Sequence, residues 1–301
     1  MKKKLLFIYN PRAGKGKIKL KLSDVIESFV ASGYEVVIYS TKGKKDATHI
    51  VKECLEKEQY DMVVCSGGDG TLNEIIDGIM SLPEKPQIGY IPAGTTNDFA
   101  STLKIPRDIL KATKVVIEGK PFLCDIGAMN HEFFTYVVGF GAFTDVSYET
   151  SQTAKNMLGR LAYILEGVKR ITSLKSYHMV FEHDGIRVED DFIYGMLANS
   201  AKVGGFNLPT NFETSLNDGL FEAFFIKMPQ NILELQGIIN SLLTEKLNDK
   251  YFYTFRSNKI VLNSKEPIPW VLDGEFGGCY EQVEITNHAQ AVSIMVPDCK
   301  R

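Results

Sequence analysis

The amino-terminal part of the chain alternates short apolar runs with stretches in which apolar residues recur at helical spacing. Four runs rich in β-branched and aromatic residues predict strands, at residues 5–9, 34–40, 62–65 and 88–91. The apolar residues between them fall on helical faces, at positions 18, 22, 25, 26 and 29, at 47, 50, 51 and 55, and across 72–80. Asp46 is the expected N-cap of the second helix. This alternation predicts a largely parallel, doubly wound sheet, with ligands beyond the carboxyl ends of its strands.

After about residue 122 the pattern changes to strands in series. The predicted strands are residues 133–138, 177–182, 192–198, 220–227, 251–256, 259–262, 283–286 and 291–296. Two helical patterns interrupt them, at residues 154–171 and 232–247. Asp184-Gly185 predicts a hairpin turn, because glycine accepts the positive φ that such a turn needs. We therefore expect an α/β domain at residues 1–122 and a mostly antiparallel β-sandwich domain at residues 123–301.

Composition narrows the functional classes. The 301 residues carry a formal net charge of −3, which argues against a protein built to coat nucleic acid. The five cysteines show no paired spacing, so we expect no disulfide framework and no structural zinc site, and a reducing cytoplasm fits best. The longest charge-free run, residues 133–144, is shorter than the roughly 18 apolar residues that span a bilayer. Membrane contact is therefore expected to be transient.

Three polar segments that contain glycine follow strands of the predicted parallel sheet. The first, residues 10–17, reads Asn-Pro-Arg-Ala-Gly-Lys-Gly-Lys. Its small residues let backbone N–H groups approach an anion, and Arg12 and Lys15 add positive charge. The spacing is not that of a Walker A motif, and the alternative is a glycine-rich turn with solvated lysines.

The second and third segments are residues 66–74 and 92–100. Three glycines in four positions at 67–70 cost backbone entropy on folding, which favours close approach of a ligand. Asp69 is placed to hold Mg²⁺ or to accept a hydroxyl proton, and the alternative is that it only caps the following helix. Asn97 or Asp98 is expected to cap a helix as well. Because the segments follow strands of one parallel sheet, they are expected to converge on one edge.

These segments resemble the diacylglycerol-kinase catalytic domain superfamily. The matching motifs are Asn10-Pro-x-Ala-Gly, Gly67-Gly-Asp-Gly-Thr-Leu-Asn-Glu74 and Pro92-x-Gly-Thr-x-Asn-Asp-Phe99, in that order. Over essentially the whole chain, the sequence is similar to the soluble bacterial diacylglycerol and lipid kinases, relatives of sphingosine, ceramide and NAD kinases. The resemblance implies a nucleotide-binding domain like those of NAD kinases and phosphofructokinases, then a β-rich lipid-substrate domain. It also implies that a final strand at about residues 290–298 packs back on the first domain.

The same resemblance implies an activity and roles for individual residues. The activity is ATP-dependent phosphorylation of the hydroxyl of diacylglycerol, which gives phosphatidate. An acid in the Leu272-Asp273-Gly274-Glu275 signature would accept the hydroxyl proton; Glu275 is the first candidate, and Asp273 and Asp69 are the alternatives. Without the resemblance, Asp273-Gly274 predicts an ordinary hairpin turn. ATP would contact Asn10, Pro11, Arg12, Ala13, Gly14, Lys15, Thr41, Gly67, Gly68, Asp69, Gly70, Thr71, Leu72, Asn73 and Thr95.

A further family element, residues 217–220, implies a structural Mg²⁺ site. Its ligands would be the Asp218 side chain and the carbonyls of Ser215 and Leu220, and oxygen ligands are those that Mg²⁺ prefers. Some family members carry a second acid where Ser215 stands, and the alternative is another Asp-Gly turn. Residues 139–143 and 203–208 would line an acyl cleft or belong to the core. The basic residues between 155 and 175 would face lipid headgroups or solvent.

The expected cofactors are ATP and Mg²⁺, and the expected partner is a diacylglycerol-like membrane lipid at the inner face of the membrane. A homodimer is compatible with an exposed sheet edge, and no nucleic-acid partner is expected. Three alternatives stay open. The acceptor is another hydroxyl lipid, such as phosphatidylglycerol or a sphingoid base; or the protein is an NAD kinase, which shares the Gly-Gly-Asp-Gly-Thr turn; or it is a non-catalytic nucleotide sensor, for which a missing acid at 69 or 275 would be expected.

Overall fold

The computed structural model describes residues 3–95, 97–141, 165, 174–199, 202–203, 206–207 and 215–298. Contacts divide the chain into a first unit, Met1–Cys124 with Gln290–Arg301, and a second unit, Asp125–Ala289. The helix predicted at 154–171 lies outside the described residues, apart from Leu165. Also outside them are the basic residues 155, 160, 169 and 170, and residues 142–143, 204–205 and 208 of the predicted acyl cleft.

The first unit follows the predicted alternation of strands and helices. Its elements are β1 (Lys3–Tyr9), a 3₁₀ segment (Ala13–Leu20), α1 (Leu22–Ala31), β2 (Tyr34–Ser40), α2 (Asp46–Lys57), β3 (Met62–Gly67), α3 (Asp69–Met80), β4 (Gln87–Pro92), α4 (Asp98–Thr102) and α5 (Ile109–Glu118).

These strands form a parallel sheet in the order β2-β1-β3-β4. Next to β4 runs the end of the last strand, β15 (Glu275–Val296), where Ile294 pairs with Ile88 in parallel. Leu5 to Ile8 in β1 and Val63 to Cys65 in β3 are fully buried, as expected for central strands covered on both faces. The crossovers that follow β1, β3 and β4 therefore leave from the same edge of the sheet.

The predicted Asp46 cap is wrong. Lys45 occupies the N-cap position of α2, and Asp46 is the first helical residue, whose carboxylate accepts a hydrogen bond from Lys42 N at 2.7 Å. The cap comes from α3 instead: the Glu74 carboxylate accepts hydrogen bonds from Lys45 N at 2.8 Å and Ala47 N at 3.1 Å. The prediction failed because the capping side chain is distant in sequence.

The second unit is built mainly of antiparallel strands. Its elements are the end of β5 (Lys120–Met129), β6 (Glu132–Phe134), β7 (Val137–Gly141), β8 (Tyr177–His183), β9 (Ile186–Ala198), β10 (Lys202–Val203), β11 (Phe206–Asn207), β12 (Phe221–Lys227), α6 (Ile232–Thr244), β13 (Phe252–Ser257), β14 (Lys259–Leu272) and most of β15.

Four of these strands close a ring through hydrogen bonds: β7 pairs with β9, β9 with β8, β8 with β14, and β14 with β7, all antiparallel. An aromatic core fills this unit. The rings of Phe181 and Phe225 stack with centroids 4.8 Å apart, and Phe140 meets Trp270 edge-on at 5.0 Å. An α/β unit with a mostly antiparallel β unit confirms the predicted fold class.

The long strands β14 and β15 differ from the prediction, which divided this region into shorter strands. The pairing of β14 with β15 shifts register between Asn263 and Ile268 and again between Pro269 and Val271. Such irregularities accommodate Pro267 and Pro269, which cannot donate a ladder hydrogen bond. The two prolines interrupt the apolar-polar alternation from which strands were predicted, although the strand itself continues through them.

Among the described residues, no helix has the length and apolarity needed to cross a membrane.

Candidate functional site

The crossovers after β1 and β3 are joined through Asn10. Its backbone N–H donates to Ser66 O at 2.8 Å, and its side-chain Nδ2 donates to Thr71 Oγ1 at 3.3 Å. Its Oδ1 accepts a hydrogen bond from Arg12 N at 2.9 Å, which shapes the turn that follows. One side chain therefore links the first segment to the start of α3.

The third segment, residues 92–100, contacts both of the others backbone to backbone. Glycines stand at these contacts, and a side chain there would prevent them. A Cβ atom on Gly14 would lie 2.0 Å from Ala93 O, and one on Gly94 would lie 2.6 Å from Gly68 Cα. Such distances are well inside van der Waals contact, so the missing side chains let the three segments pack. The predicted convergence of the three segments is present in the structure.

The turn after β1 is left-handed over three consecutive residues. Gly14, Lys15 and Gly16 have φ values of 51°, 65° and 73°. A non-glycine residue in this region is uncommon, and here it leaves the Lys15 side chain exposed between two glycines. Lys15 is therefore an exposed basic residue next to the packed segments.

The amino terminus of α3 has the features of an anion site. Its N-cap is Gly68, which supplies no side-chain hydrogen bond. The first-turn N–H groups of a helix carry partial positive charge and suit phosphate oxygens. Two buried side-chain atoms of this region, Ser66 Oγ and Asn73 Oδ1, have no protein hydrogen-bond partner. Thr41 is buried just after β2, where its N–H donates to Tyr9 O at 2.9 Å, and Thr95 is exposed.

Asp69 is engaged by the protein. Its Oδ2 accepts a hydrogen bond from Asp98 N at 3.0 Å, and its Oδ1 accepts one from the Tyr90 hydroxyl at 3.3 Å. Burial raises the pKa of this carboxyl, and the hydrogen bond from Asp98 opposes that shift. Asp69 thus caps α4 rather than α3, the helix that directly follows it.

Asn97, expected to cap a helix, instead pins its own segment. Its side chain accepts a hydrogen bond from Gly94 N at 3.0 Å and donates one to Gly94 O at 2.7 Å. Although Asn97 stands at the N-cap position of α4, its side chain makes no capping bond there, so this expectation is wrong for Asn97. Sequence reasoning missed this role because Asn at a helix start usually caps it.

In the second unit, Asp273 and Gly274 form the two-residue turn between β14 and β15, with φ values of 48° and 88°. The Asp273 carboxylate accepts four hydrogen bonds: from Thr135 N at 2.7 Å, Thr135 Oγ1 at 2.9 Å, Tyr136 N at 2.9 Å and Val137 N at 2.9 Å. Burial raises its pKa, and these hydrogen bonds oppose that shift. The neighbouring Glu275 is exposed. The two acids of the predicted signature therefore stand in opposite environments.

Asp218, the only side chain among the predicted metal ligands, already has a cationic partner. Asp218 Oδ2 contacts Arg256 Nη2, and Asp218 Oδ1 accepts a hydrogen bond from Leu220 N at 3.1 Å. Arg256 Nε also lies 3.3 Å from Oε1 of Glu222, a residue that is 1% exposed. Burial raises the pKa of Glu222 to about 7, and Arg256 opposes the shift. In the part of the chain that the structure describes, no three His, Cys, Asp or Glu residues are grouped to hold a metal ion.

Comparison with known proteins assigns the family. Residues 4–129 match the diacylglycerol kinase catalytic domain. The chain is 36% identical over 293 residues to a diacylglycerol kinase of Bacillus subtilis, with 96% of each chain covered. It is 35% identical to a diacylglycerol kinase of Staphylococcus carnosus, covering 92% of this chain and 90% of that one. The chain belongs to the diacylglycerol kinase family. The resemblance drawn from the motifs is confirmed.

Solved structures agree on the fold of this diacylglycerol kinase family member. A diacylglycerol kinase structure from Bacillus anthracis superposes with a TM-score of 0.74 at 22% identity, covering 99% of this chain and 98% of that one. Another Bacillus anthracis structure, proposed to be a diacylglycerol kinase, gives a TM-score of 0.81 at 24% identity, covering 99% and 96%. At these identities the likeness supports the fold and no residue roles.

Proposed function

We propose that this protein is an ATP-dependent diacylglycerol kinase, which transfers the γ-phosphoryl group to the free hydroxyl of diacylglycerol and releases phosphatidate. The observation that carries the proposal is the packing of three glycine-bearing segments at one edge of the first unit's sheet, in a chain from this family. In phosphoryl transfer a protein mainly positions the reactants and stabilises charge. Closely packed backbone N–H groups and nearby basic side chains at this edge would do both.

The packed segments are proposed to hold the phosphates of ATP. Backbone N–H groups at Gly68 to Gly70 and around Gly14 would donate to phosphate oxygens, because those of Thr71 and Leu72 already donate to Gly68 O. Lys15 and Arg12 would balance the phosphate charge. The unpartnered Asn73 Oδ1 supports a ligand here, because a buried acceptor without a partner costs free energy that a hydroxyl or amino donor on the ribose or base of the nucleotide would recover. Thr41 and Thr95 stay proposed contacts on family grounds.

Glu275 is proposed as the proton acceptor. A general base needs a carboxylate that can reach the hydroxyl, and Glu275 is exposed at the end of a fixed hairpin. Asp273 and Asp69 are less suited, since accepting a proton would disrupt the hydrogen bonds by which their carboxylates hold neighbouring backbone in place. Asp273 would hold the hairpin that presents Glu275, and Asp69 would hold the third segment in the first unit.

Mg²⁺ is proposed to bind with ATP, where it would neutralise phosphate charge during transfer. The separate site at Ser215, Asp218 and Leu220 fits Mg²⁺ poorly as arranged. Its oxygen donors are of the right kind, but its only carboxylate already has Arg256 as a cationic partner, which an ion would have to displace.

The lipid partner is proposed to be reached by transient contact with a membrane surface. Phosphatidylglycerol, a sphingoid base and NAD are the competing acceptors, and the sensor alternative predicts ATP binding without transfer. A homodimer stays a prediction.

The test is transfer of labelled phosphate from ATP to these acceptors in mixed micelles, with the wild type and Glu275→Gln compared. We expect phosphatidate from diacylglycerol in the wild type and a loss of about 10²–10⁴-fold in kcat for the variant. ATP affinity and thermal stability should be unchanged, because Glu275 is exposed. Asp69→Asn serves as the contrast: it should lower stability as well as activity. Label on NAD, or on no acceptor while ATP binds, would contradict the proposal.

A further inference from the structure

Phe276 is an exposed aromatic residue beside the candidate proton acceptor. It is 69% exposed, and no other phenylalanine whose side-chain burial the structure describes is exposed. Those other phenylalanines are buried or partly buried, many of them in the aromatic core. Single large apolar side chains are commonly exposed on protein surfaces, so exposure by itself indicates no function. The position of Phe276 next to Glu275 is what indicates one.

The hairpin that carries Phe276 is held in place. Its closing pair is Leu272 with Glu275, and Phe276 lies opposite Val271. The four hydrogen bonds to the Asp273 carboxylate and the bond from Asp273 N to Val137 O at 2.8 Å fix the turn against the β6–β7 connection. The turn therefore cannot fold over to bury the ring without breaking these bonds.

The two residues that follow Phe276 have no side chains that could cover it. The next two residues are Gly277 and Gly278; a Cβ on Gly277 would lie 2.1 Å from Leu272 Cδ1, and Gly278 has a φ of +103°. The Leu272 side chain and the Tyr280 ring occupy the space beside these glycines, and the glycines add no side chain that would shield Phe276. Exposure of Phe276 is consequently a feature of the local backbone.

An acid followed by an aromatic residue suits an amphiphilic substrate. Glu275 and Phe276 are consecutive residues at the end of one hairpin, so an acid and an exposed ring can meet the same lipid from the two sides of the strand. Diacylglycerol has the same division, a hydroxyl in the headgroup layer and acyl chains below it. Phenylalanine, tryptophan and leucine side chains are those that proteins at a membrane surface insert at the boundary between headgroups and acyl chains. The formal net charge of −3 gives the protein no overall attraction to an anionic bilayer. Apolar contact therefore has to supply more of the free energy of membrane binding.

We propose that Phe276 inserts into the lipid surface at the glycerol–acyl boundary and positions the acceptor lipid for Glu275. This inference rests on the proposed function for its substrate. The occupant is a bilayer lipid rather than a protein partner, because the ring adjoins the group that would receive the lipid's proton. Phe276 is a positioning residue and takes no part in the chemical step.

The test compares Phe276→Ala and Phe276→Trp with Ile186→Ala. Ile186 is a matched control, since it is 51% exposed and directly follows the Asp184-Gly185 turn of the same unit. Substrates are long-chain diacylglycerol in phosphatidylcholine vesicles, whose lipid has no acceptor hydroxyl, and a water-soluble short-chain diacylglycerol. We expect Phe276→Ala to raise the apparent KM for vesicle substrate about tenfold or more, from the apolar area lost. The kcat, the ATP affinity and the short-chain kinetics should change less than about twofold, and Phe276→Trp and Ile186→Ala should resemble the wild type.

Co-sedimentation with the same vesicles separates this proposal from the proposed function. Wild type and Phe276→Trp should sediment with vesicles more than Phe276→Ala does. If the wild type phosphorylates no lipid, the proposed function fails, while co-sedimentation still decides the role of the ring. Equal vesicle kinetics and equal sedimentation for wild type and Phe276→Ala would overturn the proposal. An equal loss on short-chain and vesicle substrates would overturn it too, because the ring would then serve folding or chemistry.

Discussion

Replacing Asp273 by asparagine tests whether its carboxylate holds the hairpin that presents Glu275. The carboxylate accepts four hydrogen bonds, two on each oxygen. An asparagine keeps one oxygen and turns an NH₂ group toward two of the donors, which lose their acceptor. Each buried donor left unpaired costs about 1–3 kcal/mol. Because burial already raises the pKa of Asp273, the charged form has an offsetting cost, and we expect a net loss of about 2–4 kcal/mol.

Asp184→Asn is the matched control. Asp184 begins another two-residue turn of the second unit, with the same φ of 48°, and its side chain is 53% exposed. Asparagine is favoured in this turn type, so both substitutions preserve turn propensity. The control should change the free energy of unfolding by less than about 0.5 kcal/mol.

Urea unfolding followed by tryptophan fluorescence is the assay. The chain has a single tryptophan, Trp270, which is buried in β14 three residues before Asp273. The signal therefore reports on the second unit, and the midpoint shift at constant slope gives the change in stability. If Asp273→Asn unfolds at the same urea concentration as Asp184→Asn, the four hydrogen bonds do not stabilise the hairpin and the reasoning is refuted.

Three further predictions concern the first unit and the Asp218 region. Gly94→Ala places a methyl group 2.6 Å from Gly68 Cα, so it should lower the free energy of unfolding by about 1–3 kcal/mol and weaken ATP binding measured by calorimetry. Glu74→Ala removes the acceptor of two α2 N–H groups and should cost about 1–2 kcal/mol in thermal unfolding. Arg256→Met frees the Asp218 carboxylate, so Mg²⁺ should raise the melting temperature of this variant and leave that of the wild type nearly unchanged.

Each of these predictions has a clear contrary result. Undiminished ATP affinity in Gly94→Ala would mean that the packed segments do not form the nucleotide site. Wild-type stability in Glu74→Ala would show that solvent replaces the cap at no cost. A wild-type protein that Mg²⁺ stabilises as strongly as Arg256→Met would show that the ion displaces the guanidinium, and would support the predicted metal site.

The amino-acid sequence by itself determined the class of fold, the family and the segments that meet in the first unit. Buried parallel strands have continuous apolar runs, and their crossovers contain glycines at fixed positions, so both signals are local and can be read along the chain. The Asp184-Gly185 turn could be predicted for the same reason, because its geometry depends on two adjacent residues.

Only the tertiary structure decided what the individual carboxylates do. Asp69 binds the backbone of Asp98, 29 residues away, and Asp273 binds residues 136 to 138 positions distant. Asp218 pairs with Arg256 across 38 residues. Nothing local distinguishes these acids from the exposed Glu275, because a hydrogen-bond partner brought by another strand leaves no mark on the neighbouring sequence. Whether a carboxylate is exposed or serves to hold other segments in place is therefore a property of the packed chain.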